Sequence, residues 1–183
     1  MKEYFRNMIG RSRIMKYQVV YESQSGNTEQ LAKAIASCFP ENQVNLVDIN
    51  LQTPSKNADI YCIGFGVRHS LCSMRLIDFL ECLNNKTILL FATCGMNPSK
   101  SYQRVLERNI EPFLPENCDY RGFYLCQGAI SDEGYQSIRC RFEQNSDAET
   151  LERFEEFRIG IQDRPNQSDL EDGKEYVRSR LNL

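Results

Sequence analysis

The 183-residue chain has no tryptophan and one histidine, His69. No Cys-x-x-Cys pair occurs among its eight cysteines, so neither a structural zinc site nor a metal-hydrolase centre has its usual ligands, and no metal site is expected. The cysteine spacing is irregular, and the first residues contain no apolar stretch of secretory length. Free thiols in a cytoplasmic setting are therefore expected, with Cys62 and Cys126 buried inside apolar strand-like runs. Long hydrophobic runs are also missing. Thr87 to Cys94 supplies only about a third of the ~20 residues that a membrane-spanning helix needs, which excludes a span there.

What remains is the balance of a globular domain: 41% hydrophobic and 26% charged residues, with a formal charge of −3. The charge is uneven. Residues 1 to 16 hold five bases and one acid, whereas residues 147 to 183 hold ten acids and six bases. Neither end has the basic stripe of a nucleic-acid surface. Residues 1 to 15 read as an N-terminal extension, for which an upstream start or an expression scar is the simplest account and a targeting peptide the alternative, because Met15-Lys16 stands directly before the first strand-like run. One domain is expected over 16–146, with a C-terminal helical segment, 147–183, packed on it.

Tyr17 to Tyr21 is a β-branched and aromatic run, followed by a polar loop and a helical pattern in which Leu31, Ile35 and Cys38 share one face. The alternation continues, with strands expected near Gln43–Asp48, Asp59–Phe65, Lys86–Thr93 and Arg121–Cys126. Between them, Leu71, Met74, Ile77, Leu80 and Leu83 recur at helical spacing, as do Val105, Leu106 and Ile110. Strands separated by helices predict a doubly wound parallel five-stranded α/β sheet with helices on both faces. Tyr61-Cys62-Ile63 and Ile88-Leu89-Leu90-Phe91 are continuously apolar, as strands covered on both sides must be. After Gly128 two polar helices are expected, roughly Asp147–Ile161 and Ser168–Leu181.

In such a sheet, ligands sit beyond the carboxyl ends of the strands, bordered by the first strand-to-helix loop. Here that loop is Ser23-Gln24-Ser25-Gly26-Asn27-Thr28. Gly26 allows close backbone approach, the first helical turn offers unpaired N–H groups, and Ser23, Ser25, Asn27 and Thr28 add side-chain donors. The loop has no lysine, unlike a polyphosphate-binding Walker loop, and no Gly-x-Gly-x-x-Gly, which argues for a terminal phosphomonoester.

The loop and its strand–loop–helix setting resemble the flavodoxin family, whose first loop reads Ser/Thr-x-Ser/Thr-Gly-Asn-Thr. The resemblance spans about residues 16 to 128 and implies a flavodoxin-like fold with bound flavin mononucleotide (FMN). It places the flavin ring between the loops Gly64–Ser70 and Thr93–Asn97, making Phe65, Gly66, Val67, His69, Thr93, Cys94, Gly95, Met96 and Asn97 the expected ring contacts. Phe65 and His69 are the candidate stackers. Gly64-Phe65-Gly66-Val67, Phe91-Ala92-Thr93, Cys126-Gln127-Gly128 and Pro165-x-x-x-Asp169-Leu170 look like a bacterial subgroup, some of whose members accompany bilirubin-reducing enzymes. That subgroup commonly has Trp at position 66 and Asp-Lys-Gly where this chain has Arg68-His69-Ser70.

Three functions follow. The first is an FMN-binding electron-transfer protein that supplies a partner reductase, which needs no catalytic side chain. The second is an FMN-dependent oxidoreductase acting on a small acceptor such as a quinone or tetrapyrrole. The third is a flavin-free interaction module. A receiver domain is disfavoured, because the first strand ends without an acidic pair. No nucleophile elbow, His-based dyad or paired-carboxylate signature is present.

Overall fold

The computed structural model of the chain describes residues 15–145 and 148–183. The expected extension over 1–15 thus lies, apart from Met15, outside the described residues, as does Asp147. Five strands, β1 (Tyr17–Glu22), β2 (Val44–Asp48), β3 (Ile60–Gly66), β4 (Thr87–Cys94) and β5 (Asp119–Gln127), form one parallel sheet in the order β2-β1-β3-β4-β5. This is the flavodoxin-like doubly wound arrangement. Each strand falls within a residue or two of its expected position.

The period-2 rule divides the apolar strands between two cores. Val20, Tyr61, Ile63, Ile88 and Leu90 face the side covered by α2 (Met74–Leu80) and α3 (Lys100–Ile110). Val19, Tyr21, Cys62, Leu89 and Phe91 face the side covered by α1 (Asn27–Ala36) and α6 (Gln167–Leu181). Apart from Gly66, every residue of β3 is buried, as expected for an interior strand. Helix α2 is shorter than the apolar spacing suggests, because Leu71 belongs to a tight hairpin and Ser73 caps the helix by accepting the Leu76 N–H.

The main difference from expectation follows β5. Three helices stand there instead of two: α4 (Asp132–Asn145), α5 (Ala148–Gly160) and α6. Helices α4 and α5 pack mainly on each other as a hairpin, with Tyr135 stacked on Phe154 and Phe142 edge-on to Phe154. The guanidinium of Arg158 lies 3.8 Å from the Tyr135 ring centre. Helix α6 returns to the sheet beside α1 and β5, where Val177 is fully buried. At Gly173 an added Cβ would lie 2.8 Å from a Leu31 methyl and 3.1 Å from the Tyr124 ring, so only glycine permits this approach.

All eight cysteines are free. Cys62, Cys94 and Cys126 are buried, whereas Cys82 and Cys140 are exposed on the outer surface of their segments. Among the described residues no helix is long and apolar enough to cross a membrane.

Candidate functional site

The strand order reverses between β1 and β3, and a cavity of about 940 Å³ opens beyond the carboxyl ends of β1, β3 and β4. Gln24, Ser25, Asn27 and Thr28 of the first loop line it. Gly26 is the N-cap of α1 at φ +87°, a conformation that glycine adopts without strain, and no side chain caps the helix. The first-turn N–H groups therefore face the cavity mouth with the positive end of the helix dipole behind them. Ser23 does not line the cavity. Its hydroxyl accepts the Gly26 N–H at 3.1 Å and fixes the loop.

Two expected side-chain donors have other work. One N–H of the Asn27 amide is donated to the Ala129 carbonyl at 2.8 Å, tying the loop to the chain beyond β5. The Thr28 hydroxyl pairs with the Thr93 hydroxyl at 2.8 Å, both side chains being buried. These bonds clamp α1 against β4 and β5 and leave the backbone amides, Ser25 and Gln24 for a ligand.

Gly66, Val67 and His69 line a second wall, and Thr93, Cys94, Gly95 and Met96 a third. The Val67 N–H donates to the Thr93 carbonyl at 2.9 Å and ties the two loops together. Arg68 and Leu71 exchange backbone hydrogen bonds of 3.1 and 2.9 Å across a two-residue tip, His69-Ser70. Both tip residues have positive φ, +47° and +62°, as a primed hairpin turn requires. The Asn109 amide holds this tip by donating to the Ser70 carbonyl at 3.0 Å.

Two expected ring contacts fall elsewhere. Phe65 is 1% exposed and stacks on Phe123 in the core with Tyr61 and Ile63, which share its strand parity, so it cannot stack on a ligand. Asn97 is outside the cavity lining, and its carbonyl accepts the Ser99 N–H at the start of α3.

Other residues take their place. Tyr102, on the first turn of α3, lines the cavity together with Ser70. Burial, then the Cys94 thiolate once it forms at alkaline pH, pushes its phenol up, with Ser70 opposing. Burial pushes the Cys94 thiol up to about 11, so at neutral pH it is a protonated liner and no nucleophile. Phe142, Phe154 and Phe157 line the cavity from the α4–α5 hairpin. Glu22, at the end of β1, also lines it, and one carboxylate oxygen is buried with no hydrogen-bond partner. Such an acceptor is costly to bury and marks a place where a ligand N–H or a water belongs. Among the described residues no group of His, Cys, Asp and Glu converges as a metal site.

Comparison with known proteins agrees with this architecture. The model of the flavodoxin domain matches residues 18–178. A flavodoxin-like domain-containing protein BilS of Clostridioides difficile (strain CD3) is 33% identical over 123 residues, covering 64% of this chain and 69% of its own. A protein of the same name from Clostridium symbiosum (strain WAL-14163) is 23% identical over 147 residues, covering 72% and 77%. The flavodoxin of Streptococcus pneumonia TIGR4 superposes with a TM-score of 0.55 at 13% identity, over 91% of this chain and 97% of that one, a likeness of fold alone. With the strand order, the first loop and the matched residues in agreement, the chain belongs to the flavodoxin domain family.

Proposed function

We propose that this chain binds FMN and works as a cytoplasmic electron-transfer protein for a partner reductase. The observation that carries the reading is the convergence, in one cavity, of an uncapped α1 N-terminus with the loops after β3 and β4. The donor set fits the cofactor. The α1 amides, Ser25 and Gln24 suit a phosphate, and the unpartnered Glu22 oxygen suits an N–H of the ring. When bound, FMN supplies one- and two-electron chemistry.

The chain's own part is to bind, orient and shield. The Thr28–Thr93 and Val67–Thr93 hydrogen bonds hold the walls in register. Tyr102 provides an aromatic surface between the two ring loops, in a chain whose loops have no Trp or Tyr of their own. The acids of the C-terminal segment supply charge for docking a basic partner surface.

To test the reading, the purified protein is mixed with excess FMN, freed of unbound ligand, and examined by visible absorption and flavin fluorescence. A retained and perturbed flavin spectrum is expected. Gly26, although not itself among the lining residues, caps α1 at φ +87°. Gly26→Asp, which adds a negative charge at that helix N-terminus and strains the loop, should weaken FMN about a hundredfold or more. Unchanged affinity would overturn the cradle. No retention at all would favour the flavin-free interaction module.

A further inference from the structure

The cavity has two ends made by different parts of the chain. One consists of the three loops just described. The other is the α4–α5 hairpin, which borders no strand end and brings Ile138, Phe142, Phe154 and Phe157 to the lining. These side chains are not core in the ordinary sense: α5 has no buried residue, and Phe157 is 37% exposed. Met96, 65% exposed, lines the same cavity from the loop after β4. A helical pair that turns its aromatic side toward a cavity, and little of it toward the sheet, leaves that apolar area wet unless something lies against it.

The rigidity of the wall indicates what it takes. Phe154 is held between Tyr135 and Phe142, with Arg158 over the outer face of Tyr135 and the Tyr135 hydroxyl hydrogen-bonded to Glu155. The rings thus have fixed positions and offer π faces and edges to a flat neighbour. Met96 is an adaptable thioether that closes on ligands of differing outline. Ser131, Glu133, Ser137 and Arg141 also line the cavity from the hairpin segment and offer hydroxyls and charges to polar substituents. At about 940 Å³ the cavity, which the loops and the hairpin line together, stands at the top of the roughly 300–1,000 Å³ range of small-ligand sites.

We propose that the hairpin end of the cavity is a separate binding compartment for a planar, largely apolar aromatic molecule of two or three fused rings, seated against Met96 and the Phe142–Phe154–Phe157 wall. The inference rests on the FMN reading for the occupancy of the loop end. It makes the domain a binder of a small organic partner and not only a surface for another protein.

The test titrates 2-methyl-1,4-naphthoquinone into oxidised, FMN-loaded protein. Binding is followed by saturation-transfer NMR of the probe, and FMN retention is checked by absorbance in the same samples. Saturable binding without FMN release is expected. Phe157→Ala should weaken it about tenfold, the scale of losing one aromatic contact. Ile159→Ala serves as control: Ile159 lies on the same helix, 63% exposed and outside the lining, and should leave binding unchanged. Because Phe157 is exposed, its removal leaves the fold intact, which circular dichroism checks. Absence of binding with FMN retained, equal binding by Phe157→Ala, or competition between probe and FMN for one place would each overturn the proposal. If FMN itself is not retained, the flavin reading fails, and probe binding by the FMN-free protein, with the same dependence on Phe157, decides the compartment alone.

Discussion

Helices α5 and α6 are nearly alike as sequences and opposite as structures. Each carries four acids, and each has four large apolar residues in about four turns: Leu151, Phe154, Phe157 and Ile159 in α5, and Leu170, Tyr176, Val177 and Leu181 in α6. Yet α5 buries none of its residues, while α6 buries Asp169, Gly173 and Val177 against α1 and β5. Hydrophobic content does not decide the difference. Gly173 lets the α6 backbone reach Leu31 and Tyr124, and a reciprocal cap anchors its first turn. In that cap Asp169 accepts the Asn166 N–H at 2.8 Å while Asn166 accepts the Asp169 N–H at 3.2 Å, and Arg164 donates to the same carboxylate at 2.7 Å. Helix α5 packs mainly on α4 and turns Phe154 and Phe157 to the cavity.

The comparison can be broken at its contact point. Gly173→Val should destabilise the protein by roughly 1–3 kcal/mol or more, since the added methyls overlap Leu31 and Tyr124 and push α6 outward, read as a lower urea midpoint. Wild-type stability would mean that α6 docks without the close approach. Asp169→Ala removes the cap and leaves Arg164 without its carboxylate, for an expected loss of about 1–2 kcal/mol by the same measurement.

Alkaline pH should act on the same side of the sheet. Burial first, then the charge of Asp169, pushes the Cys126 thiol from its ordinary 9.0 up to about 12, with Arg164 opposing. The folded state therefore keeps a proton that the unfolded chain releases. Stability from this group is complete below pH 9 and falls as pH rises from about 9 toward 12. Urea midpoints at pH 7, 9 and 10 should decline, less steeply in Cys126→Ala. The smallest effect is expected at the other glycine of the pair. A Cβ at Gly160, the last residue of α5, meets nothing within 4 Å, so Gly160→Ala should be neutral or stabilise by up to about 1 kcal/mol.

The sheet was legible because its strands are short, apolar and separated by helical spacing, a pattern local enough to read residue by residue. The first loop was legible for the same reason. Helix α4 was not: Gly134 and a polar surround hide its apolar positions, although Tyr135, Ile138 and Phe142 do recur at i, i+3 and i+7. Phe65 was misassigned because a strand covered on both faces shows no alternation, so only its parity with Tyr61 and Ile63 reveals which way it points. Tyr102 and the hairpin phenylalanines reach the cavity from helices, beyond the loops to which motif reading is confined. The unpartnered oxygen of Glu22 depends on what surrounds it in space and has no sequence signature.

The His69-Ser70 tip has an entropic side as well. Two residues with a Cβ are held at positive φ, where each costs about 1–2 kcal/mol, and the Arg68–Leu71 bridge together with Asn109 keeps them there. That cost is met during folding, before any ligand arrives. A ligand binding on this side of the cavity would meet a wall that is already ordered and would not have to supply that ordering entropy itself.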